Sequence, residues 1–208
     1  MDDERYQVLL KHFSGMIQTR IGETAKGGQK TASKPSKYHW RVAATAIVYF
    51  RRFYLVHSLL DHDPRVIMLA AVLLAGKIEE QRISLKELQD IYNKCTPDEI
   101  QSGELLLLEA LHFELSIEHP KSFVGTFIAD FKRIASKSTT VNASSSSSSS
   151  SSASRDWSAA AESVLLDLQV SDASLRFSSA TIAICALREC EPSARYANQN
   201  YSYIATGK

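Results

Sequence analysis

The chain has 208 residues, 44% apolar and 23% charged, with a formal net charge of +1. That length holds one large or two small domains, and the near-neutral balance lacks the basic excess of a dedicated nucleic-acid binder. No stretch reaches the roughly 20 apolar residues of a membrane span. The acidic start Met1-Asp2-Asp3-Glu4-Arg5, with no apolar run behind it, does not read as a secretory signal. Cys95, Cys185 and Cys190 are an odd set without CxxC spacing, which fits a reduced, intracellular chain and not a disulfide framework or a zinc site.

In chain order, Tyr6 to Ile21 repeats apolar residues at helical spacing through Val8, Leu9, Phe13 and Ile17. Gly22 to Ser36, with Gly27-Gly28 and Pro35, reads as a loop. A second helix is expected from about Tyr38 to Val56, with Val42, Thr45, Ala46, Tyr49, Phe50 and Phe53 on one face. A third opens at Asp63-Pro64, an N-cap followed by proline in the first helical position. Ser84 with Glu87, and Thr96 with Pro97 and Glu99, are capping boxes for a short helix to about Tyr92 and a long one to about His112. His119-Pro120 opens a sixth helix through about Ile134. From Ser136 to Ser154, 12 of 19 residues are serine, and this tract reads as a disordered insertion. Helical patterning resumes at Asp156 with Trp157, Ala161, Val164 and Leu168, and again near Ser178 with Ile182, Ala183, Ala186 and Leu187. No hairpin pattern competes, so the fold class is all-α.

Catalytic constellations are missing: there is no HExxH, GxSxG or GxxxxGK[ST]. Gly27-Gly28-Gln29-Lys30-Thr31 has neither the first glycine nor the preceding strand of a phosphate loop. His57, Asp61, His62 and Asp63 cluster between helices, where capping and solvated-loop roles outweigh metal ligation. Tyr49-Phe50-Arg51-Arg52-Phe53-Tyr54 interleaves aromatics with arginines. Without an electrostatic funnel, this fits a buried aromatic face with one arginine fixed by an internal carboxylate better than a base-stacking platform.

Two charges fall on apolar stripes. Counting from Val66 through Ala70 and Leu73 lands on Lys77, and the stripe Ile100, Leu107, Leu108, Leu111 encloses Glu104. Singly, each suits a helix end, the lysine near a C-terminus and the glutamate near an N-terminus. As a pair on two long apolar helices, they point to a surface that meets a partner.

Arg52-Phe53-Tyr54-Leu55, Asp63-Pro64, Leu74-Ala75-Gly76-Lys77-Ile78-Glu79-Glu80, Glu104-Leu105-Leu106-Leu107 and His112-Phe113-Glu114-Leu115, in this order, resemble the cyclin box. The likeness is clearest from Tyr38 to about residue 118 and weaker from Asp156 to Cys190. Within the family, Tyr49-Phe50-Arg51-Arg52-Phe53-Tyr54-Leu55 and the short interval from Glu80 to Glu104 resemble the transcriptional group, cyclin H above cyclin C. The substrate-docking motif MRxxLxxW of the mitotic type is absent. The resemblance implies a five-helix cyclin box over residues 1–118. It implies a second cyclin-like box over 119–208, interrupted by the serine tract of 136–154 and incomplete at Lys208.

The same resemblance implies a regulatory subunit without an active site or cofactor, which binds and activates a cyclin-dependent kinase of the CDK-activating, TFIIH-associated type. It acts in the nucleus, in transcription by RNA polymerase II and in the cell cycle. A MAT-type assembly factor and TFIIH are the further partners it implies, with no direct nucleic-acid or membrane contact. Kinase contact falls by resemblance to Lys77 and Glu104, flanked by Ile78, Leu108, Phe113 and Leu115, while Arg52, Phe53 and Glu80 are structural. Another transcriptional cyclin, of the C or elongation type, keeps this mechanism and changes the kinase. A TFIIB-like DNA-binding core of two helical boxes would need a zinc ribbon and a basic face, neither of which is visible in the sequence.

Overall fold

The computed structural model describes residues 3–21, 39–138 and 150–190. Among them every regular element is helical, with no strand. The order is α1 (Asp3–Arg20), α2 (Trp40–Val56), α3 (Pro64–Ile78), α4 (Leu85–Ile91), α5 (Pro97–Ala110), α6 (Pro120–Ser138), α7 (Ser150–Gln169), α8 (Ala173–Arg176) and α9 (Ser179–Cys190). The expected glycine-containing loop and its phosphate-loop look-alike lie outside the described residues. The serine tract is helical at both ends, since α6 runs to Ser138 and α7 begins at Ser150; residues 139–149 lie outside the description. Serine has a moderate helix propensity, and a neighbouring helix can carry such a residue along. The single turn α8 escapes the sequence reading because four residues show no period.

The starts and stops follow local chemistry. Asp63 caps α3 by accepting from the Arg65 N–H at 2.9 Å, with Pro64 behind it. Ser84 and Glu87 cap α4 reciprocally, and Thr96 and Glu99 do the same for α5. Each box satisfies two backbone donors that the first helical turn leaves without partners.

The chain divides into two compact units, one of residues 1–117 with 169–175 and one of 118–168 with 176–208. In the first, α3 is the axis, packed by α1, α2, α4 and α5. Ten consecutive residues, Ile67 to Gly76, are buried, as an all-round apolar helix requires. Its neighbours approach closely at Gly103 of α5, where a Cβ would lie 3.0 Å from Val66 Cγ1 and 3.3 Å from Ala70 Cβ. The aromatic run of α2 points inward: Tyr49, Phe50 and Phe53 are fully buried and Tyr54 nearly so. In the second unit α6 packs on α9, and Val124, Ile128, Ala161, Leu165, Ile182, Ala183, Ala186 and Leu187 are its buried apolar residues. Lys121 and Glu162 pair at 3.1 Å between α6 and α7.

Candidate functional site: a paired charge on the α3 and α5 faces

The stripe Val66, Ala70, Leu73, Lys77 does face α5, with Gly103 opposite its first two members. Lys77 and Glu104 therefore meet. The ammonium reaches both carboxylate oxygens at 2.7 Å. The two ends differ in environment: the Lys77 side chain is 60% exposed and the Glu104 side chain 10%. The lysine is thus not on a buried face. Its stem follows the apolar stripe and its head stands in water, while the carboxylate is held inside. A buried carboxylate needs a partner to offset its lost hydration, and Lys77 is that partner.

Apolar side chains lie on the same elements and in the turn after α5. Ile78, next to Lys77, is 41% exposed, and Phe113 is 69% exposed. Leu108 and Leu115 are half-buried against the core. The Phe113 N–H donates to the Leu108 carbonyl at 3.2 Å, closing the turn after α5. That turn is unusual: His112 and Phe113 have φ of 50° and 59°, and Glu80 after α3 has 55°. Left-handed backbone at a non-glycine residue is disfavoured and clusters where a surface is held for a purpose. Lys77, Glu104, Ile78, Leu108, Phe113 and Leu115 thus sit at the end of α3, on α5 and in the segment after α5.

Three residues assigned to structure by resemblance fare differently. Phe53 is buried and stacks on His57, with ring centroids 4.3 Å apart and planes at 9°. Arg52 is half-buried and aims Nη1 at the Glu114 carbonyl, 3.5 Å away. Glu80 is exposed, and the carboxylate turned inward is that of Glu79. Thr45 Oγ1 donates to Glu79 Oε1 at 2.7 Å, and Arg41 stands 4.0 Å from its other oxygen. Glu79 lies one turn beyond the fully buried Ala75, but α3 ends at Ile78, so the period by itself does not choose it over Glu80.

The arginine inside α2 is Arg51, at 3% exposure. It is fixed by a carbonyl and a hydroxyl and not by a carboxylate in contact: Nη2 donates to Val170 O at 2.5 Å and Nε to Ser14 Oγ at 3.3 Å. Burial lowers its pKa from the ordinary value, opposed by the charge of Asp172. Its hidden place follows from Ile47, buried one turn earlier, but the acceptor lies 119 residues away and no local pattern announces it.

Around His57, the ring stacks on Phe53 while its backbone N–H caps α2, and Asp63 caps α3 and chelates Arg65 at 2.6–3.0 Å. The Arg65 hydrogen bonds hold the Asp63 carboxyl below its usual pKa. Among the described residues no three His, Cys, Asp or Glu side chains gather as a metal site would require, and no helix is long and apolar enough to cross a membrane.

Residues 32–116 match the family model for the cyclin N-terminal domain. Cyclin-C1-1 of Arabidopsis thaliana is 35% identical over 102 residues, covering 45% of this chain and 40% of that protein. The putative cyclin-H of Dictyostelium discoideum is 32% identical over 90 residues, covering 43% and 31%. Cyclin-H of Xenopus laevis is 36% identical over 99 residues, covering 44% and 30%. The matched stretch spans well under half the length of these relatives. Among solved structures, a chain of the CAK complex from Chaetomium thermophilum bound to ATP-gamma-S is similar at a TM-score of 0.75 and 18% identity, over 98% of this chain and 58% of that one. A chain of the yeast TFIIK (Kin28/Ccl1/Tfb3) complex is similar at 0.68 and 23%, over 96% and 79%. At these identities the structural likeness speaks for the fold, which is that of a cyclin. Residues 32–116 are thus a cyclin N-terminal domain, and over this stretch the chain is similar to transcriptional cyclins of the H and C types.

Proposed function

We propose that this chain is the regulatory subunit of a cyclin-dependent kinase of the CDK-activating, TFIIH-associated type, acting in the nucleus on transcription and the cell cycle. The kinase supplies the catalytic residues, and the cyclin supplies a surface that holds the kinase in its active arrangement. The observation that carries this reading is the Lys77–Glu104 pair, whose ammonium is exposed, with exposed Ile78 next in the chain and exposed Phe113 in the turn after α5. Water-facing apolar side chains on the elements that carry an organised charge pair suit a protein interface, where buried apolar area gives affinity and fixed charges give register. The kinase contacts are Lys77, Glu104, Ile78, Leu108, Phe113 and Leu115. The second unit serves as a second cyclin-like box. A MAT-type assembly factor and TFIIH are the further partners, in keeping with the likeness to chains of CAK and TFIIK complexes.

A second reading, a cyclin C-type subunit, is favoured by the likeness to Cyclin-C1-1, which matches about as well as the cyclin H relatives. Affinity purification of the full chain from its source cell tests both. Recovery of a CDK-activating kinase with TFIIH subunits supports the first reading, and a different transcriptional kinase supports the second. Recovery of no cyclin-dependent kinase overturns both.

A further inference from the structure

Along α2, one stripe is polar although residues 42–50 are all buried. Arg41, Thr45, Tyr49 and Arg52 are spaced i, i+4, i+8 and i+11, which places them on one face. Each reaches off its own helix. Arg41 stands 4.0 Å from the Glu79 carboxylate, and Thr45 Oγ1 donates to it at 2.7 Å. The Tyr49 hydroxyl donates to Leu115 O at 2.6 Å. Arg52 Nη1 approaches Glu114 O at 3.5 Å, the outer edge of hydrogen-bonding range. The first two hold the end of α3 just past Lys77 and Ile78; the last two hold the backbone just past Phe113. Burial and the Glu79 carboxylate push the Tyr49 hydroxyl up to about 12, against a lowering by Arg52. Tyr49 is thus a neutral donor that feels both charged neighbours, as members of one connected group do.

We propose that Arg41, Thr45, Tyr49 and Arg52 are positioning residues, which set the separation between the α3 end and the segment 112–117 so that both present one preorganised surface to a protein kinase. The proposal rests on the kinase-binding reading above. Its physical motive is the backbone. Glu80 closes α3, and His112 and Phe113 follow α5, all with left-handed φ at non-glycine residues. Such turns persist only where surrounding contacts over-determine them. The stripe supplies those contacts from one rigid helix, and a surface held in advance avoids ordering costs on binding.

The test uses the full chain and the cyclin-dependent kinase recovered with the wild type. Tyr49→Phe removes one hydroxyl, and Thr45→Val another at nearly constant volume. Tyr49→Phe should raise hydrogen exchange across residues 112–117, and Thr45→Val across 77–80. Each should weaken kinase binding by about two- to tenfold, the worth of one net hydrogen bond. Thr45→Ser keeps the hydroxyl and should restore affinity. Ile47→Val, on the opposite face and fully buried, should lower the unfolding midpoint without changing affinity. Unchanged exchange and affinity in Tyr49→Phe overturn the proposal. So does an Ile47→Val protein that loses binding equally. Lys77→Glu is measured alongside. If no cyclin-dependent kinase is recovered with the wild type, the kinase-binding reading itself fails; if Lys77→Glu loses binding while the stripe variants do not, only the positioning role fails.

Discussion

Exchanging the two charges of the pair separates its role inside the chain from its role towards a partner. Lys77→Glu alone sets two carboxylates where an ammonium now touches both oxygens of Glu104 at 2.7 Å. Two unit charges about 4 Å apart interact by about 1 kcal/mol in water and about 4 kcal/mol near a protein surface. With the residue 77 side chain 60% exposed, the new carboxylate can turn into solvent, which favours the lower end. The expected loss of stability is about 1–2 kcal/mol, small enough for the chain to stay folded. Adding Glu104→Lys re-forms an attractive pair and should return stability to within about 1 kcal/mol of wild type. A kinase surface matched to the original polarity meets inverted charges in both variants. Affinity should therefore fall by about 2–5 kcal/mol in the single variant and stay low in the exchange. Denaturant unfolding followed by circular dichroism gives the stability, and titration calorimetry with the co-purifying kinase gives the affinity. Wild-type affinity in the exchanged protein would show that the pair matters only inside the chain. Wild-type affinity in a folded Lys77→Glu protein would remove Lys77 from the interface altogether.

Arg51→Met keeps an unbranched buried stem but removes the donors to Val170 O and Ser14 Oγ. Hydrogen bonds from a charged group contribute about 1.5–3 kcal/mol each, less the cost of burying the guanidinium, so a net loss of about 1–3 kcal/mol is expected, with faster hydrogen exchange in residues 169–175. Unchanged stability and exchange would refute the clasp. At alkaline pH the sign follows from Tyr49, whose pKa is raised from 10.0 to about 12. Its contribution is complete below pH 10 and is lost as pH rises towards about 12, because the unfolded state releases its proton first. The unfolding midpoint should fall across that window, less steeply in Tyr49→Phe than in wild type; parallel falls would contradict the assigned environment.

Much of this protein is determined by the sequence alone, and the reason is short-range physics. Capping residues, proline at a first helical position and a 3.6-residue period act within one or two turns. The starts of α3, α4 and α5 at Asp63, Ser84 and Thr96 are therefore legible without any tertiary information. So are the Lys77 and Glu104 stripes, since a charge in an apolar period marks itself. Tertiary structure decided what those charges touch. Periodicity could place each on a face, but only the packing of α3 on α5 at Gly103 brought them into one ion pair, with the carboxylate inside and the ammonium in water. It likewise chose Glu79 over Glu80 as the inward carboxylate, and a carbonyl 119 residues away as the acceptor for Arg51. Adjacent glutamates look alike to a local pattern, and a backbone carbonyl carries no sequence signature. Both choices are made by which elements fold against α2, a contact between segments distant in the chain.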